Sequence, residues 1–229
     1  MTSSVAQRRT RVALLVPSSN TVMENDLHAG LPKDRFTVHT DRMFLVETTR
    51  ACELDMIEKH APAAAKDLGT LKPDVLVFGC TSAGSLFGLA YDTQVCGSLG
   101  ELAGCANIGV VSSVSQALQR RKASRVAIIT PYNEDLTQSV ATAVATHTGV
   151  VCAHGMGITD NVALADPTPE QIVDFARLRL RGQSFDCVFA SCTNFRAVEA
   201  LPLLEREFGV PVVTSNSSVI EAIKLRYAA

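Results

Sequence analysis

Two cysteines of this 229-residue chain stand in settings suited to chemistry. Cys80 lies in Phe78-Gly79-Cys80-Thr81-Ser82-Ala83-Gly84 and Cys192 in Ala190-Ser191-Cys192-Thr193-Asn194-Phe195, each directly after a short apolar run. Where a strand turns into a helix, a thiol feels the positive end of the helix dipole, which lowers its pKa, so thiolate character is expected of both. The free N–H groups of such turns, with Thr81, Ser82, Thr193 and Asn194 beside them, suit a carboxylate oxygen. Each thiol is thus a nucleophile or a base beside an anion cradle. Ser19 and Asn20, in Ser18-Ser19-Asn20-Thr21, and Tyr132, after Pro131, add uncharged donors for a second carboxylate or an enolate-like intermediate. Plainer readings stand beside these. Any tight turn favours Gly, Ser and Thr, Ser18 to Asn20 can cap a helix, and a tyrosine after a proline commonly packs. Cys52, Cys105, Cys152 and Cys187 read as small buried hydrophobes.

The elements that must position these residues occur twice. Near-continuously apolar runs at Val12 to Val16, Val75 to Phe78, Val126 to Ile129 and Cys187 to Ala190, with shorter ones at Ile108 to Val111 and Val210 to Val213, read as strands of a parallel sheet buried on both faces. Helical patterns at Leu54 to Leu68, Leu136 to His147 and Glu170 to Leu180 alternate with them, the last opened by Thr168-Pro169-Glu170. Arg11-Val-Ala-Leu-Leu-Val-Pro17 matches Arg125-Val-Ala-Ile-Ile-Thr-Pro131, Asp74 to Thr81 matches Asp186 to Thr193, and Ile108 to Leu118 matches Val210 to Ile223, in the same order. Pro17 to Cys80 is 63 residues and Pro131 to Cys192 is 61, the spacing of a doubled unit. The expectation is an α/β fold of two similar parallel-sheet halves, related by a pseudo-twofold, with the active site in the cleft between them. The halves are residues 1–118, carrying Cys80, and 119–229, carrying Cys192, with the C-terminal helix packing back on the first half. The first half runs about ten residues longer after its cysteine; the surplus around Leu89 to Leu99 reads as a pocket wall or lid, or as a surface elaboration or oligomer contact.

Composition removes several classes. With 21 Lys and Arg against 23 Asp and Glu, the charge of -2 is spread along the chain, which argues against a nucleic-acid partner. No apolar run reaches the ~20 residues of a membrane span, and no secretory signal is evident, so a cytoplasmic protein with no membrane partner is expected. Seven cysteines without CxxC spacing or Cys/His clusters argue against a disulfide framework and a structural zinc site.

Pro17-Ser18-Ser19-Asn20-Thr21-Val22-Met23-Glu24, Gly79-Cys80-Thr81-Ser82 and Ser191-Cys192-Thr193-Asn194 together resemble the aspartate/glutamate racemase superfamily. The Pro-Ser-Ser-Asn-Thr opening points to its maleate cis-trans isomerase and arylmalonate decarboxylase branch. The likeness runs from about Arg11 to the C-terminus. It implies two similar α/β domains, a site between them, no metal and no organic cofactor. It also implies catalytic roles for Cys80 and Cys192 toward a small carboxylate, with Asn20, Tyr132 and Asn161, in the loop Gly157-Ile158-Thr159-Asp160-Asn161 after a short strand, resembling the groups that hold the two carboxylates. A homo-oligomer, dimer or tetramer, is expected. Arylmalonate decarboxylases have glycine where this chain has Cys80, so the resemblance favours isomerisation of maleate, or a close small dicarboxylate, to fumarate. The alternatives are an amino-acid or hydantoin-type racemase with the thiols as acid/base pair, a decarboxylase-like enzyme, a catabolic accessory enzyme with another substrate, and a binding protein that has lost catalysis. A racemase of amino acids would need an acidic residue near the ammonium; Glu24 and Asp135 are the nearest in sequence.

Overall fold

The computed structural model describes residues 8–227; the outer ends of the two expected halves, 1–7 and 228–229, lie outside the described residues. Its first sheet holds β1 (Thr10–Pro17), β2 (Phe36–Met43), β3 (Val75–Phe78) and β4 (Ala106–Gly109) in the order β2-β1-β3-β4. Its second holds β5 (Arg125–Thr130), β6 (Gly149–Gly155), β7 (Cys187–Ala190) and β8 (Val212–Thr214) in the equivalent order β6-β5-β7-β8. All pairings are parallel. The central strands β1, β3, β5 and β7 are the apolar runs of the sequence. The edge strand β2 carries half-buried polar residues and lacks that signature, while β6 has only the short, half-buried apolar run Val150 to Ala153.

The repeated Asp has a structural reason. Asp74, just before β3, accepts the backbone N–H of Arg11 at 2.8 Å, and Asp186, just before β7, accepts that of Arg125 at 3.0 Å. Each carboxylate thereby ties the bottom of one central strand to its neighbour, and both are held below the usual carboxylate range; burial opposes this at Asp74, where the bonds from Arg8 and Arg11 prevail, while at Asp186 the Ser124 hydrogen bond leads.

Helices cover the sheets: α1 (Met23–Gly30), α2 (Arg50–Asp55), α3 (Ala61–Gly69), α4 (Thr81–Ser85), α5 (Leu89–Ala103) and α6 (Val110–Arg120) in the first half. In the second lie α7 (Glu134–Ala145), α8 (Pro169–Arg179), α9 (Ala197–Phe208) and α10 (Ser215–Arg226). α2 and α3 form one rod through a π turn, Met56–His60. Its buried stripe runs Glu53, Met56, Ala61, Ala64, Ala65, Leu68, and the π turn supplies the five-residue step between Met56 and Ala61. α8 opens on the expected cap, in which Thr168 and Gln171 bond reciprocally. α10 lies against α1 and α6, and Tyr227 donates to the Asp74 carbonyl at 2.9 Å. The chain crosses between sheets in residues 121–124; the expected division after residue 118 falls in the last turn of α6.

Two expectations about the segment after Cys80 are corrected. Val110 and Val111 belong to α6, not to a strand. The match of Ile108 to Leu118 with Val210 to Ile223 sets Ser112 against Thr214, but in the sheets Gly109 lies opposite Phe78 and Thr214 opposite Ala190, so Gly109 is the counterpart of Thr214. The surplus is then seven residues, distributed between α4 with its following loop and the longer α5. Leu89 to Leu99 forms most of α5, which buries Val95, Cys96 and Leu99 against the first sheet. The added α4 is fully buried and leans on α7 of the other half.

Candidate active site

In each sheet the chain steps outward from the first central strand and returns on its other side, so the carboxyl ends of β1 and β3, and of β5 and β7, open a crevice. Ser18 to Thr21 follow β1, Cys80 follows β3, Tyr132 follows β5 and Cys192 follows β7. The two crevices face each other: the Thr193 hydroxyl donates to the Gly79 carbonyl at 3.0 Å, and the charges of Cys192 and Cys80 act on each other's surroundings.

All ten residues expected at the site converge here, and all but the half-buried Ser19 are buried. Many of their polar atoms stitch the halves together. Asn20 donates to Thr193 Oγ1 at 3.2 Å and accepts the N–H groups of Val22 and Met23, so it also caps the entry to α1. Thr81 donates to Ser215 Oγ at 2.9 Å, which accepts the Cys192 N–H at 3.1 Å. Asn161 donates to Ser19 Oγ at 2.7 Å and accepts from Thr48 at 2.9 Å. Asn194 accepts the Thr21 N–H at 2.8 Å and donates to the Asn161 carbonyl. Ser82 is the less committed hydroxyl, 3.7 Å from Cys80 Sγ.

The expectation that both thiols gain from a helix dipole is corrected. Cys80 caps the one-turn helix α4, but Cys192 sits in an irregular turn five residues ahead of α9, with φ +135°. Burial pushes both thiols up, Cys192 to about 12 and Cys80 higher still. Local donors oppose this: the Tyr132 hydroxyl and the Asn194 N–H, 3.1 Å from Sγ, act on Cys192, and the Ala83 N–H and Ser82 act on Cys80. Burial likewise raises Tyr132. A φ of +135° is unfavourable for a residue with a Cβ, so the fold holds Cys192 in place at a cost of about 1–3 kcal/mol.

Gly79 explains how Cys80 is placed. A Cβ there would meet the Leu15 carbonyl oxygen at 2.6 Å and Met23 Sδ at 2.8 Å. Only glycine lets the turn close against β1.

Neither acidic residue considered from sequence occupies the cleft. Glu24 pairs with Arg42 at 2.9 Å, and Asp135, 63% exposed, with Arg50 at 3.5 Å. The cleft instead contains Glu53, fully buried, whose charge acts on Cys80, Cys192 and Tyr132 alike. Burial lifts its carboxyl to about 8. It escaped sequence reading because the apolar pattern begins at Leu54; an acidic residue three before Met56 on the buried stripe was the available signal. Among the described residues no cluster of three His, Cys, Asp or Glu side chains is arranged to hold a metal ion, and no helix is long and apolar enough to cross a membrane.

Comparison with known proteins agrees with this geometry. Residues 12–225 match the arylmalonate decarboxylase family. A maleate isomerase of Pseudomonas putida is 30% identical over 218 residues, covering 90% of this chain and 86% of that protein. Among solved structures, a cysteine-to-alanine variant of the maleate isomerase of Pseudomonas putida S16 with maleate superposes with a TM-score of 0.89 at 22% identity, covering 96% of this chain and 93% of that one. A cysteine-to-serine variant of Nocardia farcinica maleate cis-trans isomerase with a covalently bound succinylcysteine intermediate gives 0.87 at 22% identity, covering 95% and 92%.

Proposed function

The chain belongs to the arylmalonate decarboxylase family, and from that premise we propose that it is a cofactor-independent cis-trans isomerase of maleate, or of a close small dicarboxylate, working through a cysteine adduct. The observation that carries this reading is the pair of buried thiols, Cys80 and Cys192, on matching strands of facing halves. The first-half thiol, where the resembling decarboxylases have glycine, supports isomerisation over decarboxylation, and the succinylcysteine seen in the Nocardia farcinica enzyme supports the adduct.

Cys80, as thiolate, adds to one alkene carbon; the C=C electron pair moves to the neighbouring carbon and is delocalised into its carboxylate as an enediolate. The former double bond is now single and rotates. Return of the electron pair expels the thiolate and leaves the trans alkene. Cys192, hydrogen-bonded by Tyr132, places a proton on the carbanion and takes it back. Ser82 and the uncommitted backbone N–H groups of the two turns hold one carboxylate, flanked by Thr81 and Thr193, whose hydroxyl protons go to Ser215 Oγ and the Gly79 carbonyl; Ser19, Asn20, Tyr132, Asn161 and Asn194 line the side for the other end of the substrate. Division into residues 1–118 and 119–229 belongs to the same proposal, each half supplying one thiol. The substrate is a small molecule; a homo-oligomer and a cytoplasmic location remain part of the proposal.

The test is incubation of the protein with maleate, without added metal or cofactor, followed by proton NMR. Fumarate should form with wild type and not with Cys80→Ser. A second reading, racemisation of an amino acid, is favoured by the acidic Glu53 and is tested by deuterium uptake at Cα.

A further inference from the structure

Glu53 lies fully buried on α2, and the Ser82 hydroxyl on α4 is within hydrogen-bonding reach of its carboxyl. The same hydroxyl stands 3.7 Å from Cys80 Sγ, so Ser82 bridges an acid and a thiol with a single proton to give. It is poised between them: neither Glu53 oxygen is locked in a fixed hydrogen bond, and the contact with Cys80 can run in either direction. Other charged groups leave the carboxyl to Ser82. Arg50, on the same helix, pulls it down and Asp135, on α7, pushes it up, while these two pair with each other at 3.5 Å. Tyr91 on α5, Tyr132 after β5, Cys80 and Cys192 all feel its charge, and burial raises each of them, so they are uncharged near neutral pH.

We propose that Glu53 is a positioning residue for Cys80: protonated, it donates to Ser82 Oγ and leaves the Ser82 proton to the cleft; ionised, it takes that proton back and sets a negative charge beside the thiol. The proposal rests on the isomerase reading, in which Cys80 must become a thiolate, and deepens it. With a neutral carboxyl, the Ser82 O–H is free to stabilise the Cys80 sulfur as it gains charge, or to meet an incoming carboxylate. With an ionised one, Ser82 turns to the stronger acceptor and presents only a lone pair to Cys80. Loss of the thiol proton would then put two negative charges into one buried space. Thiolate at Cys80 and carboxylate at Glu53 therefore exclude each other. Burial favours the productive form by lifting Glu53 to about 8, and a substrate with two carboxylates adds to that lift.

Labelling with iodoacetamide, an uncharged reagent, tests this without substrate, the rate at Cys80 being read by mass spectrometry from about pH 6 to about pH 10. In wild type the rate should climb with pH and level off above the Glu53 value of about 8. In Glu53→Gln, whose amide donates to Ser82 at every pH, it should keep climbing and exceed wild type about tenfold or more at the alkaline end. Ser82→Ala, which leaves acid and thiol in place, should slow Cys80 severalfold on the acid side of that break and hardly at all on the alkaline side. A wild-type rate without the break, the same break retained in Glu53→Gln, or a Ser82→Ala effect that is absent or independent of pH overturns the proposal. Should Glu53→Gln not fold, the wild-type break and the Ser82→Ala profile decide it. Turnover of maleate is followed separately by NMR: its absence with the break intact sinks the isomerase reading and leaves the labelling result to judge Glu53.

Discussion

At the scale of single residues, the chemistry is set by burial more than by helix dipoles. Both thiols are raised, so the free protein does not store thiolate, and the proposed mechanism needs it generated in the substrate complex. Free thiols should therefore alkylate slowly at neutral pH; rapid iodoacetamide labelling of Cys80 or Cys192, located by mass spectrometry, would contradict this. Cys192 also allows a test of backbone strain. At φ +135° glycine is at ease and alanine is not, so Cys192→Gly should be at least as stable to urea as Cys192→Ala, whereas glycine in unstrained structure usually trails alanine by about 1 kcal/mol. Glu53 gives a pH signature. Its folded pKa of about 8 lies above the unfolded value, so its contribution favours the folded state least at high pH: stability is lost as pH rises from about 4.5 to 8. Relative to Glu53→Gln, wild type should lose on the order of a few kcal/mol across that window, and parallel melting curves of the two from pH 5 to 8 would refute it. Using the variant as reference is needed because Asp26 and Asp92, raised mainly by burial to about 6, act in the same direction.

At the scale of elements, the central strands and both cysteine turns were legible because strands buried on both faces leave continuous apolar runs. β2 was not, since an edge strand with half-buried Thr, His and Asp reads as loop; β6 surfaced only as the short strand ahead of Asn161. The helix dipole at Cys192 was misjudged because Ser-Cys-Thr-Asn reads like Gly-Cys-Thr-Ser, while the chain inserts Thr193 to Arg196 before α9 begins. Asn20, Thr193 and Asn194 were legible as residues of the turns that follow the central strands, but their bonds across the cleft were not, because such pairings join positions 173 residues apart. These bonds hold the halves in register. Thr193→Val removes both the donor to Gly79 and the acceptor for Asn20, and should cost about 1–3 kcal/mol in urea unfolding; a loss below about 0.5 kcal/mol would show that the pair does not stitch the halves. Gly79→Ala should be worse, since its methyl would strike the backbone of β1.

At the scale of the whole molecule, two matching halves bring to one cleft what a single half cannot supply, a second buried thiol. The copies have then diverged. The first half gained α4 and a longer α5, placed its thiol on a helix cap and brought in Glu53; the second placed its thiol in a strained turn under Tyr132. Such asymmetry suits unequal roles, one thiol bonding to carbon and the other handling a proton. Proton NMR of maleate with wild type, Cys80→Ser and Cys192→Ser, in the absence of added metal or cofactor, tests this most directly. The account predicts fumarate from wild type, none from Cys80→Ser and a loss of about a hundredfold or more from Cys192→Ser. Maleate left untouched by wild type, or full activity in both variants, would contradict it.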